Sequence, residues 1–255
     1  MDESLNRQLS YLGLTATIEA WDTIQKEATR KKPSYQTFFT SVIEREYESR
    51  IEKARLARIK RAKIPEILVM ETFPFDRQPK LDRKLIRELH DDLSFMADKQ
   101  DLVFIGPTGC GKTGLATSFL IRAISKGYRG LFTDFSHLIN RLYKARGDRS
   151  EEKLIGRLVS VDVLLIDELG YISCDKEQAS LFFDLMRRRS NKMVTIITTQ
   201  LGFEEWESFL HNPHITAALL DRITTRCNVF NMKNCSSIRT KKIRNMTKSK
   251  NADNL

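Results

Sequence analysis

Leu102-Val103-Phe104-Ile105-Gly106-Pro107-Thr108-Gly109-Cys110-Gly111-Lys112-Thr113 is the stretch that decides the fold. A short apolar run of strand type leads into an octapeptide, 106–113, that fits G-x-x-x-x-G-K-[ST] at every fixed position. The glycines reach backbone angles closed to other residues, so successive N–H groups can turn inward on phosphates. Lys112 sets a point charge against the β- and γ-phosphates, and the Thr113 hydroxyl suits Mg²⁺. Leu115, Ala116, Phe119 and Leu120 then repeat at helical spacing, so a helix points its positive end at the anion. The candidate cradle is Gly106, Pro107, Thr108, Gly109, Cys110, Gly111, Lys112, Thr113 and Gly114, with Cys110 acting through its backbone and not as a nucleophile.

Outward from the loop, β-rich runs at 102–105, 130–133, 161–166 and 194–198, with a weaker fifth at 228–231, alternate with helical stretches. That alternation predicts an α/β fold, a parallel sheet with helices on both faces. The third run, Val161-Asp162-Val163-Leu164-Leu165-Ile166-Asp167-Glu168, is apolar until two acids emerge at its end. A P-loop needs a carboxylate there for its metal. Asp167 takes that place beside Thr113, and Glu168 is placed to polarise a water for attack on the γ-phosphate. A kinase, which has to keep water out, has little need of such a glutamate. Asn191-Lys192-Met193-Val194 begins like the guanine-reading N-K-x-D but ends in valine, which favours adenine by elimination. ATP with Mg²⁺ is the expected ligand.

Before position 65 the chain reads as helical. Leu5, Leu9 and Leu12 form one stripe, and Leu14, Ile18, Trp21 and Ile24 a second, parted by Gly13. Ser34 is an N-cap candidate for a helix with Phe38, Phe39, Val42, Ile43 and Tyr47 on its apolar face. This helix runs on into Arg50, Lys53, Arg55, Arg58, Lys60, Arg61 and Lys63 against one acid, Glu52, and Pro65 stops it. Such a run is either a solvated face or a basic helix lying along a phosphate backbone without reading bases. Residues 66–100 read as a connector, with a turn at Phe73-Pro74-Phe75-Asp76, followed by an amphipathic helix on Leu81, Leu85, Leu89, Leu93 and Met96. The boundaries expected are a helical region over 1–64, an ATPase core over 65–240 and an irregular basic tail over 241–255. Residues 233–250 hold seven Lys or Arg and no acid, a solvated end or a second phosphate contact.

The totals agree with these readings. The 255 residues carry 43 Lys plus Arg against 33 Asp plus Glu, a net charge of +10 that attracts polyanions. No apolar run approaches the roughly 18 to 20 residues that span a bilayer. Met1-Asp2-Glu3-Ser4 does not open like a signal peptide, so a cytoplasmic location is expected. Cys110, Cys174, Cys227 and Cys235 form no zinc pattern and read as reduced packing residues.

From Leu5 to about Arg239 the chain resembles the IstB-type transposition helper ATPases, which lie close to the DnaC helicase loaders in the AAA+ superfamily. The matching pieces are 106–113, Leu164-Leu165-Ile166-Asp167-Glu168-Leu169-Gly170-Tyr171, Ile197-Thr198-Thr199-Gln200-Leu201-Gly202-Phe203-Glu204-Glu205-Trp206, Leu219-Leu220-Asp221-Arg222-Ile223 and the basic helix 44–63. The resemblance implies an AAA+ core in a homo-oligomer with ATP between subunits, DNA as the bound polymer and a transposase as protein partner. It also implies that Gln200, where the family usually has asparagine, or else Thr199, contacts the γ-phosphate or its attacking water, and that Arg222 reaches a neighbouring subunit's ATP. Gly114 stands where a bulkier residue is usual, and the family's Gly-rich Ser-Tyr-Arg ending is replaced by Ser236-Ser237-Ile238-Arg239, leaving Arg239 without a role. The alternatives are a helicase loader and an ATP-dependent DNA clamp with little turnover.

Overall fold

The computed structural model describes residues 1–238. Arg239 and the tail expected over 241–255 lie outside them. The chain divides into two compact units, Met1–Ala57 and a second from Arg58 onward.

In the first unit, α1 (Glu3–Tyr11) is capped by Asp2, whose carboxylate accepts from Leu5 N–H at 2.7 Å. The second apolar stripe forms two helices, α2 (Thr15–Glu19) and α3 (Trp21–Lys31), broken at Ala20. α4 (Tyr35–Arg61) begins where Ser34 Oγ accepts from Thr37 N–H at 3.2 Å. The expected apolar face of α4 is split. Phe38 and Val42 are half-buried, whereas Phe39, Ile43 and Tyr47 are exposed. Glu46 is the buried residue of this helix, and its carboxylate accepts from the N–H and hydroxyl of Thr17 at 3.2 and 3.4 Å. A buried charge needs such partners.

In the second unit, 3₁₀ turns at Met70–Thr72 and Phe75–Arg77 lead to α5 (Arg83–Asp92) and α6 (Ser94–Ala97). The single helix expected over 81–96 is interrupted at Leu93, which is left-handed at φ 55°. Its buried stripe runs through Ile86, Leu89 and His90, and Leu85 faces out. The core follows as β1 (Asp101–Ile105), α7 (Lys112–Ser125), β2 (Gly130–Asp134), α8 (Phe135–Gly147), α9 (Glu151–Ser160), β3 (Val163–Leu169), α10 (Lys176–Arg189), β4 (Val194–Thr199), α11 (Trp206–Leu210), α12 (Pro213–Thr225) and β5 (Cys227–Asn231). The five strands are parallel in the order β2-β3-β4-β1-β5. All five expected runs are strands, the third starting two residues later than read, at Val163.

Alternation divides the core. Leu102, Phe104, Val163, Leu165, Val194 and Ile196 face α7, while Val103, Ile105, Leu164, Ile166 and Ile197 face the side covered by α8, α10 and α12. Because the strands are parallel, their C-terminal ends share one edge, where an open α/β sheet binds ligands.

At the opposite edge Arg189 is fully buried and donates to the carbonyls of Leu158 and Val161 at 2.6 and 3.1 Å, and to Val194 O. Asp101, also buried, accepts from Thr195 N–H at 2.6 Å. Burial pushes the Asp101 carboxyl up to about 7, opposed by the Thr195 N–H and the Arg189 charge. The folded chain therefore holds this proton more tightly than the unfolded chain. Its contribution to stability is complete below the ordinary carboxylate value and is lost as pH rises to about 7. Relative to Asp101→Asn, the unaltered chain is expected to lose on the order of 1 kcal/mol per pH unit between roughly pH 5 and 7. Urea unfolding of both proteins across that range checks it; parallel pH profiles contradict it.

Candidate functional site

The loop 106–111 connects β1 to α7 at the shared strand edge. Gly106 N–H donates to Thr199 O at 3.0 Å, and a Cβ on Gly106 would stand 2.7 Å from Met232 O. Only glycine lets the loop leave the sheet between β4 and the chain after β5. Gly111 caps α7 at φ 102°, a conformation L side chains resist. The Lys112 ammonium donates to the carbonyls of Gly106 and Pro107 at 2.7 and 2.9 Å.

The end of β3 lies against the start of α7. Thr113 Oγ1 stands 3.0 and 3.2 Å from the two oxygens of Asp167, which is buried. Thr198 Oγ1 donates to Asp167 Oδ1 and accepts from Glu168 N–H at 3.0 Å. The pairing of β3 with β4 slips between Ile166 and Leu169, and Glu168 takes a left-handed backbone at φ 58°. This irregularity turns Glu168 outward between two buried neighbours, Asp167 and Leu169. Strained backbone of this kind is retained where the surrounding structure holds it.

A cavity of about 610 Å³ lies over these groups. Thr108, Gly109, Gly111, Lys112, Thr113 and Gly114 line it from the loop, with Asp167 and Glu168 from β3 and Thr199 and Gln200 beside β4. Gly106, Pro107 and Cys110 belong to the loop but not to the lining, and the Cys110 side chain is buried in the core. The Thr199 hydroxyl is committed, donating to Leu169 O at 2.9 Å and accepting from Leu201 N–H at 3.0 Å, while Gln200 is exposed. Arg222 lies outside the lining. It donates to Ala218 O at 2.6 Å, with its guanidinium 5.1 Å from the centre of the Phe183 ring.

Two sets of residues escaped the sequence reading. Thr198 orients Asp167, a role signalled only by strand alternation at the end of β4. The connector supplies the far wall of the cavity through Leu68, Val69, Thr72, Phe73 and Arg77, and Ile238 closes it; short irregular segments carry no period to betray this. The chemistry of the donors fits a magnesium nucleotide. A hydroxyl and a carboxylate, both hard oxygen donors, stand together beside a glycine-built cradle.

The seven basic residues proposed for DNA do not form one free set. Arg50 donates to the carbonyls of Leu12 and Gly13 at 3.3 and 2.9 Å, Lys53 to Thr15 Oγ1 at 2.9 Å, and Arg55 to both oxygens of Glu52 at 2.7 and 2.6 Å. The Arg55 bond holds the Glu52 carboxyl below its ordinary value. Arg58 donates to Ile124 O at 3.3 Å. Lys60, Arg61 and Lys63 are exposed. So are Lys144, Arg146, Arg149, Lys153 and Arg157 on and between α8 and α9, which bind no acid among the described residues. All four thiols are free, and burial pushes those of Cys174 and Cys227 up to about 12.

The parallel sheet with its phosphate loop, buried aspartate and following glutamate defines an ATP-binding AAA+ protein of the P-loop class. Residues 7–246 match the family described as IstB-like ATP binding protein, and the chain belongs to that family. It is 33% identical over 212 residues to the IS21 insertion-sequence ATP-binding protein of Pseudomonas aeruginosa, covering 83% of this chain and 80% of the relative. It is 33% identical over 233 residues to the IS5376 ATP-binding protein of Geobacillus stearothermophilus, covering 91% and 92%. Among solved structures the DnaC helicase loader superposes with a TM-score of 0.50 at 26% identity, covering 58% of this chain and 89% of that one.

Replacing Thr198 with valine leaves the Glu168 N–H unanswered and removes a donor from Asp167. A loss of about 1 to 3 kcal/mol in denaturant unfolding is expected. A change below about 0.5 kcal/mol, within the range of neutral substitutions, excludes Thr198 from this role.

Proposed function

We propose that this protein is a Mg²⁺-dependent ATPase that oligomerises on DNA and assists a transposase. The observation that carries the reading is Glu168, turned into the cavity one residue beyond the buried Asp167 that faces Thr113. Thr113 and Asp167 would hold the metal, which when bound draws charge from the β- and γ-phosphates. The loop amides and Lys112 bind the phosphates. The Glu168 carboxylate accepts the proton of the attacking water. Gln200 orients that water or the γ-phosphate, because the Thr199 hydroxyl is already committed at both ends. Arg222 lies outside its own chain's cavity, so its contact with ATP comes from a neighbouring subunit in the oligomer.

The DNA and transposase assignments rest on the insertion-sequence relatives and on surface charge. Within the basic helix the contact falls to Lys60, Arg61 and Lys63, and the row along α8 and α9 adds to it. We assign residues 1–64 to DNA binding and oligomerisation and 65–240 to the ATPase core, acting in the cytoplasm. The clamp reading is favoured by Gln200, a longer amide than the asparagine that the resemblance implies at this position.

Glu168→Gln is expected to bind ATP as the unaltered chain does while turnover falls at least about 100-fold. Steady-state phosphate release with and without duplex DNA measures this, and an unchanged rate removes Glu168 from its role. Slow release in the unaltered chain, with tight ATP-dependent DNA binding, would support the clamp. Reversing Lys60, Arg61 and Lys63 to glutamate is expected to weaken DNA binding and lower the slope of log affinity against log salt by roughly 2 to 3. An unaltered slope marks these residues as solvated surface.

A further inference from the structure

Gln78 follows the 3₁₀ turn Phe75–Arg77 and is 1% exposed. Its Nε2 donates to Cys110 O in the phosphate loop at 2.9 Å and to Ser236 O, in the chain after β5, at 2.8 Å. Arg77 joins the same segments, donating from Nη1 to Ile238 O at 3.2 Å and accepting at its own carbonyl from Ser236 Oγ at 3.3 Å. Ile238 N–H in turn donates to Gly109 O at 2.8 Å. Three segments distant in sequence are thus fastened together at the phosphate loop, and two of the residues involved, Arg77 and Ile238, also line the cavity.

Core packing does not account for Gln78. Its Oε1 is buried and accepts no hydrogen bond among the described residues, a cost that an apolar side chain of the same length would avoid. The bonds make sense through peptide geometry. In a trans peptide the carbonyl and the following N–H point in opposite directions. Holding the Cys110 carbonyl toward Gln78 therefore directs the Gly111 N–H the other way, and holding the Gly109 carbonyl toward Ile238 does the same for the Cys110 N–H. Gly109 and Gly111 line the cavity.

We infer that Gln78 is a positioning residue for nucleotide binding: it fixes the peptide units of the phosphate loop and fastens them to the strap 236–238, so that nucleotide and strap are linked. The linkage is reciprocal, since whatever the nucleotide does to the strap's order, the strap does to nucleotide affinity. The inference rests on ATP occupying the loop.

The test uses the full chain and Gln78→Met, which keeps length and volume but has no donors, beside Gln78→Glu, which sets a carboxylate against two carbonyls. Calorimetric titration with a slowly hydrolysed ATP analogue is expected to show affinity reduced roughly tenfold in Gln78→Met and further in Gln78→Glu. Because the Cys110 and Ser236 carbonyls lose their donor, the nucleotide-free variant is expected to unfold at lower denaturant, so affinity is measured well below that transition. In turnover KM should rise with kcat kept, the mark of lost uniform binding. In the unaltered chain the analogue is expected to slow amide exchange at Ile238, and in Gln78→Met to leave it unchanged. Affinity equal to that of the unaltered chain in Gln78→Met overturns the inference. If that variant does not fold, exchange at Ile238 in the unaltered chain decides, and no response to the analogue overturns it. Failure of the unaltered chain to bind the analogue sinks the ATP reading itself, which separates the two.

Discussion

The contact between the Thr113 hydroxyl and the Asp167 carboxylate is the constraint around which the second unit is organised. It joins the first turn of α7 to the end of β3, and Thr198 brings in β4. A carboxylate this buried is tolerable only when surrounded by donors. Here the donors are two threonine hydroxyls from different elements, so the register of three segments is set by one acid. The parallel sheet already sets the loop and the two acids on one edge, and this junction brings Thr113, Asp167 and Thr198 within hydrogen-bonding distance there.

Charge behaves differently from what a count suggests. The basic run on α4 reads as a uniform stripe, yet Arg50, Lys53, Arg55 and Arg58 are used by the chain's own carbonyls, hydroxyl and carboxylate. An arginine that satisfies backbone carbonyls serves first as a structural donor, and its field is partly spent. Exposed charge lies instead at the end of that run and, interspersed with Asp148, Glu151 and Glu152, along α8 and α9, where these bases form no ion pair among the described residues. A linear sequence can suggest the local pairs of Arg50 with Glu46 and of Arg55 with Glu52 but is silent on the rest, because the carbonyl partner of Arg50 and the hydroxyl partner of Lys53 lie 37 and 38 residues away.

The strands, the loop and the two acids were legible because each follows a local rule: apolar runs of five or so residues, glycines at fixed spacing, acids where a buried strand ends. Their order in the sheet and the slip that turns Glu168 outward were not legible, since both depend on which strands lie beside one another. The interruption at Leu93 escaped for a related reason. Leu81, Leu85, Leu89 and Leu93 suggest an unbroken stripe, but the buried face follows Ile86 and His90 and leaves Leu85 to solvent. Leucine identity outweighed phase. The connector wall and the fastening of the loop by Gln78 lie in segments without periodicity, where only three-dimensional proximity discloses a role.

The left-handed backbone at Glu168 carries a consequence for how such proteins change over time. Glycine or asparagine would adopt that conformation at less cost than a glutamate, so substitution there relaxes the main chain by something on the order of 1 kcal/mol. A lineage or a laboratory selection rewarding only heat tolerance would be drawn toward those residues, and each such step would discard the carboxylate. Under the role proposed for Glu168, robustness and chemistry compete at this one position.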